Sequence, residues 1–171
     1  RDLVTLARQI EAHQLQPVDI AQSMQVVLGQ DPGFLTLLAA DPKGEIIAGA
    51  PAVNERGDPL PFLGLSVADR PYFRVPMQTR QPFISGVFRG RGFGNDLIVA
   101  LSCPVLDADR RVRYILEGSL NLQTLIEELR NSQLRSHRDL ILADSQDHIV
   151  LTIGSIDLPA LSSFRDSALY G

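Results

Sequence analysis

Asp69-Arg70-Pro71-Tyr72-Phe73 sets a guanidinium and two aromatic rings side by side where a short helix should begin. Arginine is always charged and offers a planar fork of donors, so between aromatic walls it suits a small planar anion such as a carboxylate. Arg74, Arg80, Arg89 and Arg91 follow in the same stretch. A cluster of that size suits a small anion better than a polyanion. Elsewhere the residue types that do chemistry lack the spacing for it. Ser85 and Ser102 have no nucleophile elbow, and no serine, histidine and acid form a triad motif. His13, His137 and His148 are scattered over different elements, and none is near Cys103 or a second histidine at ligand spacing. Asp107 and Asp109 lack the further oxygens of a calcium loop. The glycines of Arg89-Gly90-Arg91-Gly92-Phe93-Gly94-Asn95 follow neither a Walker loop nor a dinucleotide fingerprint, and they precede a strand, so this reads as a hairpin tip. The residues therefore point to binding: no catalytic residue, no metal and no cofactor is expected.

The elements that must position Arg70 follow from periodicity. Leu3, Leu6, Ala7 and Ile10 mark an amphipathic helix to about Ala12; Pro17 opens a second, which Gly29 and Asp31-Pro32-Gly33 end. Phe34–Ala40 and Glu45–Ala48 read as strands across the turn Asp41-Pro42-Lys43-Gly44. A proline-rich loop from Pro51 to Pro61 leads to the arginine helix, predicted over Leu65–Arg80 with Ser66 as its N-cap and with Pro71 and Pro76 shortening or breaking it. Pro82–Phe88, Leu97–Val105 and Arg111–Gly118 are further strands, the last two paired across Asp107-Ala108-Asp109-Arg110. Leu122, Leu125, Ile126 and Leu129 restore the helical spacing. The arginine helix should then lie across one face of a curved antiparallel sheet and wall off a pocket.

Composition sets the outer bounds. With 171 residues, 44% hydrophobic and 21% charged, the chain is an ordinary globular sequence with room for one good core and part of a second. A net charge of −4 leaves no electrostatic footprint for nucleic acid or an anionic membrane. The single cysteine, Cys103, sits in an apolar run and should pack as a small hydrophobe. No run approaches the roughly 20 apolar residues of a membrane span, and a sequence opening at Arg1 in helical pattern reads as a piece of a larger protein.

Asp-Arg-Pro-Tyr-Phe at 69–73, Pro82-Phe83-Ile84-Ser85-Gly86, Ala100-Leu101-Ser102-Cys103-Pro104-Val105-Leu106-Asp107 and Ile115-Leu116-Glu117-Gly118-Ser119-Leu120 together resemble the core of the Cache sensor domains, the PAS-like extracytoplasmic ligand-binding modules of bacterial receptors. The resemblance runs from about Gly33 to Leu129. It implies a mixed α/β fold, an antiparallel sheet with N-terminal helices, in the periplasmic part of an inner-membrane sensor kinase or diguanylate cyclase. It also implies a small-molecule ligand, a membrane-anchored parent, a homodimer and no nucleic acid. By the same resemblance the site residues are Arg70, Tyr72, Phe73, Ser85 and Ser119. In amino-acid-binding members the arginine takes the ligand carboxylate, and an acid in the strand before the exit helix takes the ammonium. Ser119 stands at that acid's place, so a short carboxylic acid without an amine is the expected ligand. The alternatives are a structural dimerisation module and an amino-acid-sensing chemoreceptor domain.

Finally, Leu37–Ile47 and Leu140–Val150 share one form, an apolar strand, Ala-Asp, a polar turn and a β-branched pair. The expected organisation is a helical segment at 1–32, a ligand-binding lobe at 33–131, and a linker with the beginning of a second, incomplete lobe at 132–171.

Overall fold

Two helices, α1 (Asp2–His13) and α2 (Pro17–Gln30), form because their apolar residues recur on one stripe. Pro17 occupies the first turn of α2, where its missing N–H is no loss, and Asp19 accepts the Gln16 N–H at 3.3 Å. The stripe of Leu3, Leu6, Ile10, Ile20 and Met24 is buried against one face of the sheet. Each such side chain contributes about 1.5–3 kcal/mol of transfer free energy relative to exposure. Glu11 adds a polar tie, accepting the Leu106 N–H at 2.8 Å. The computed structural model describes residues 2–54, 56–90, 96–133 and 139–169; Arg91, most of the glycine-rich connection and His137 lie outside the described residues.

The sheet has five antiparallel strands: β1 (Phe34–Ala40), β2 (Ile46–Ala50), β3 (Phe83–Arg89), β4 (Leu97–Leu106) and β5 (Val112–Leu120), in the order β2-β1-β5-β4-β3. Helix α3 (Pro71–Thr79) precedes β3, and α4 (Leu122–Gln133) leaves β5. This is the mixed α/β architecture with a PAS-like sheet that the sequence led us to expect. Both faces of the sheet are covered, so its central strands are apolar on both sides. Leu37, Ala39, Cys103, Val105, Tyr114 and Leu116 face α1 and α2. Leu38, Ala40, Ala100 and Ile115 face the opposite way, against Phe62, Val67, Tyr72 and Phe73. Burial of Cys103 pushes its thiol above the ordinary range, as a packed cysteine should show.

The arginine helix is shorter than its predicted span. It starts at Pro71, and Arg70 is its N-cap with extended backbone (φ −80°, ψ 138°). The cause is steric, since a residue before proline is driven out of the helical region. Ser66, the expected cap, instead bridges to Glu45. Pro76 does not break the helix but is buried within it, and Arg80 closes it in the left-handed conformation at φ 56°. Strand β5 runs two residues past its predicted end, which places Ser119 inside the sheet, paired with Ala100.

The second strand-turn-strand, β6 (Leu140–Ala143) and β7 (Ile149–Ile153), is a two-stranded sheet of its own. Its turn copies the first one bond for bond. Asp41 Oδ1 accepts the N–H groups of Lys43 and Glu45 at 2.9 and 3.0 Å, and Asp144 Oδ1 those of Gln146 and His148 at 2.8 and 3.0 Å. The likeness continues downstream: Ile46 donates to Leu65 and Ile149 to Ser162, while Val67 donates to Gly44 and Phe164 to Asp147. Among the described residues no helix is long and apolar enough to cross a membrane.

Candidate functional site

A cleft of about 390 Å³ opens between the sheet and the segments laid over it. That volume lies in the range of small-molecule sites. Its floor comes from alternate residues of the central strands. Thr36 and Leu38 of β1, Ile98 of β4, and Glu117 and Ser119 of β5 share one face because side chains repeat every second residue. Tyr72 of α3 and Phe88 of β3 form one wall, their rings stacked with centroids 5.7 Å apart. Pro51, Val53, Asn54 and Leu60 from the loop after β2 form another.

Of the residues expected to bind, Tyr72 and Ser119 line the cleft. Arg70 does not line it, but its guanidinium carbon lies 5.5 Å from the centroid of the Phe88 ring, which does. Phe73 is in the core beside Ile115 and Val67. Ser85 is held within the sheet, where it donates to the Gly86 carbonyl at 2.7 Å and accepts the Ala100 N–H at 2.9 Å. That hydroxyl fills in at the irregularity between Ile84 and Val87, where β3 slips register against β4.

The residue that sequence reasoning passed over is Glu117. It lines the cleft, is only 1% exposed, and accepts the Ser119 hydroxyl at 2.8 Å through Oε1. Burial pushes its carboxyl up to about 8, against the smaller opposing effect of the Ser119 hydrogen bond. Among the described residues Oε2 has no hydrogen-bond partner. Since no fully buried side-chain oxygen there lacks one, Oε2 is the atom that opens onto the cavity. A carboxyl group thus stands two residues before Ser119, on the same face, where the resemblance drew attention only to the hydroxyl. Its sequence signal was an ionisable residue in the middle of a central apolar strand, a placement seldom found without a partner or a task. Asp96, exposed at the mouth, is the second acid of the lining; among the described residues no basic side chain lines the cleft. No described group of histidine, cysteine and acidic residues could hold a metal ion.

No family profile and no curated protein matches the chain. Solved structures do. The extracellular domain of the histidine kinase rpHK1S-Z16 aligns with a TM-score of 0.78 at 14% identity, over 99% of this chain and 67% of that one. An extracellular ligand binding receptor from Desulfohalobium retbaense DSM5692 aligns with a TM-score of 0.76 at 12% identity, over 90% of this chain and 27% of that one. The ligand-binding domain of the Pseudomonas aeruginosa PAO1 amino acid chemoreceptor PctC, in complex with GABA, aligns with a TM-score of 0.65 at 20% identity, over 87% of this chain and 63% of that one. The chain thus has the fold of extracellular ligand-binding domains of receptors and histidine kinases, and it spans between about a quarter and two thirds of the length of those three chains.

Proposed function

We propose that the chain is an extracytoplasmic input domain of a membrane-anchored signalling protein, non-catalytic itself, and that it senses a small molecule held in the cleft under α3. The carrying observation is the cleft itself: a largely apolar cavity of ligand size with the buried Glu117 carboxyl group and the Ser119 hydroxyl bonded to it among its lining. Its charge balance argues for a ligand bearing an ammonium group. Among the described residues no base lines the cavity, so a plain carboxylate would lose its hydration there without a cationic partner. An amino compound places its ammonium toward Glu117, and any carboxylate it carries lies toward Arg70 beside Phe88. The solved neighbour that holds GABA supports this class. Segment 132–171 fits the beginning of a second lobe, because its hairpin forms a separate sheet with the bonding of the first.

A second reading, a short carboxylic acid bound by Arg70, is favoured by the guanidinium at the Phe88 ring. Thermal-shift measurements separate the two. L-amino acids, GABA, butanoate and propylamine are each titrated against the protein, since a ligand that binds only the native state raises the melting temperature. A shift with amino compounds and none with butanoate supports the first reading; the reverse supports the second. A fusion reporter placed in this domain within the intact parent tests location, and activity on the cytoplasmic side would refute the placement.

A further inference from the structure

Resting on the reading of an amine-bearing ligand, we propose that Glu117 is the counter-ion for the ligand's ammonium group and that each binding event releases one proton from its carboxyl to solvent. The geometry leaves one atom for the task. Oε1 is occupied by the Ser119 hydroxyl, and Oε2 opens onto the cavity. Among the described residues no side chain of opposite charge lines the cleft beside Glu117. In β1 and β4 it pairs with Leu38 and Ser102. Among the described residues the other titratable groups lining the cleft are Tyr72 of α3 and Asp96 just before β4, and the Arg70 guanidinium carbon lies 5.5 Å from the centroid of the Phe88 ring.

In the empty site, then, an ionised carboxylate would be desolvated without a charge partner, so the acid keeps its proton. An ammonium reaching Oε2 reverses the balance. The O–H bond of the carboxyl breaks, its proton leaves to water, and the resulting carboxylate pairs with the cation in a water-poor setting where the attraction is strong. Ser119 is already a donor to Oε1, so the ionised form meets a hydrogen bond in place. Charge is conserved: a neutral acid and a cation become an ion pair and one released proton. A neutral or purely anionic ligand has no such exchange to drive.

Affinity for an amine must therefore rise with pH until Glu117 is ionised in the free protein as well. Isothermal titration of GABA and propylamine at pH 7, in phosphate and in Tris, reads the released proton from the difference in apparent enthalpy, and dissociation constants at pH 6, 7, 8 and 9 read the slope. About one proton is expected at pH 7, with Kd falling about tenfold from pH 6 to 7 and only about twofold from pH 8 to 9. Glu117→Gln should weaken binding at pH 8 by at least about tenfold and remove both proton release and slope. Ser119→Ala should keep the release and move the levelling-off to higher pH, because it deletes a donor to the carboxylate. Amine binding with no proton release overturns this inference and leaves the sensor reading standing. If butanoate binds and amines do not, or if nothing in the panel binds, the ligand reading fails and takes this one with it.

Discussion

The Asp144 carboxylate, on the turn of the second hairpin, accepts the backbone N–H of Val87 in the edge strand β3 at 3.1 Å. Its copy in the first hairpin, Asp41, uses its carboxylate within its own turn; Asp144 does that with Oδ1 and reaches the first sheet with Oδ2. Burial pushes the Asp144 carboxyl up, but the N–H groups of His148, Gln146 and Val87 outweigh it and hold the group below the usual carboxylate range. Gly86 makes the approach feasible, since a Cβ there would stand 2.5 Å from Oδ2.

Asp144→Ala should therefore loosen the hairpin from β3. A hydrogen bond to a charged group contributes about 1.5–3 kcal/mol, and amide hydrogen exchange at Val87 should speed up accordingly. Gly86→Ala should act in the same direction by displacing the carboxylate. Because the folded state holds Asp144 ionised more firmly than the unfolded chain does, this contribution is present above the ordinary aspartate range and is lost as pH falls through the depressed value. Unchanged exchange at Val87 in Asp144→Ala would show that the docking contributes nothing.

Glu117 has the opposite sign. Its carboxyl titrates near 8 in the folded protein and near 4.5 when exposed, so between those values the native state holds a proton the unfolded chain has released. Stability from this group falls as pH rises through that window, by about 1.4 kcal/mol per unit, and levels off above it. Glu117→Gln should flatten this part of the profile in denaturant melts of the ligand-free protein between pH 5 and about 8. A wild-type profile that already lacks the slope would refute the buried neutral acid.

Gly118 sits between the two site residues on β5 but faces the other side of the sheet. A Cβ there would meet Phe34 Cε1 at 2.5 Å and Leu37 Cδ2 at 3.0 Å. Gly118→Ala should overpack the layer under α1 and α2 and destabilise by about 1–3 kcal/mol. Chemical denaturation checks it, and an effect below about 0.5 kcal/mol would mean that Phe34 moves aside freely.

The strands and the repeat were legible in the sequence because apolar runs bounded by Asp-started turns leave little choice of element. Strand β1 came out with its observed bounds, Phe34–Ala40. The start of α3 was misplaced because the steric rule set by Pro71 at Arg70 was weighed below the capping preference of Ser66, a contest of local effects that a single window does not decide. Glu117 was passed over for a different reason. The resemblance implied Ser119 alone, while the period of two that puts Glu117 on the same face is readable in Glu117-Gly118-Ser119 only with β5 extended to Leu120. The approach of Arg70 to Phe88 was not legible at all, since it depends on how β3 folds back against α3 after the three residues between them.

That placement of Arg70 decides the last prediction. If Glu117 takes the ammonium and Arg70 serves only the carboxylate end of a ligand, removing the guanidinium must hurt carboxyl-bearing amines and spare carboxyl-free ones. Arg70→Ala should weaken GABA by about tenfold or more, as expected for an ionic contact near the surface of a site, while leaving propylamine within about twofold. Arg70→Lys should recover only part of the loss, because an ammonium neither stacks on Phe88 as a planar guanidinium does nor offers a carboxylate two parallel donors. The fold should stand in both variants, since Arg70 caps α3 through its backbone and Pro71, not through its side chain. Titration of GABA and propylamine against the two variants, with melting temperature as the control for folding, gives the four numbers required. Equal losses for both ligands would mean that Arg70 holds the Phe88 wall in place and has no direct part in recognition; a loss confined to GABA assigns the two ends of the ligand to Arg70 and Glu117.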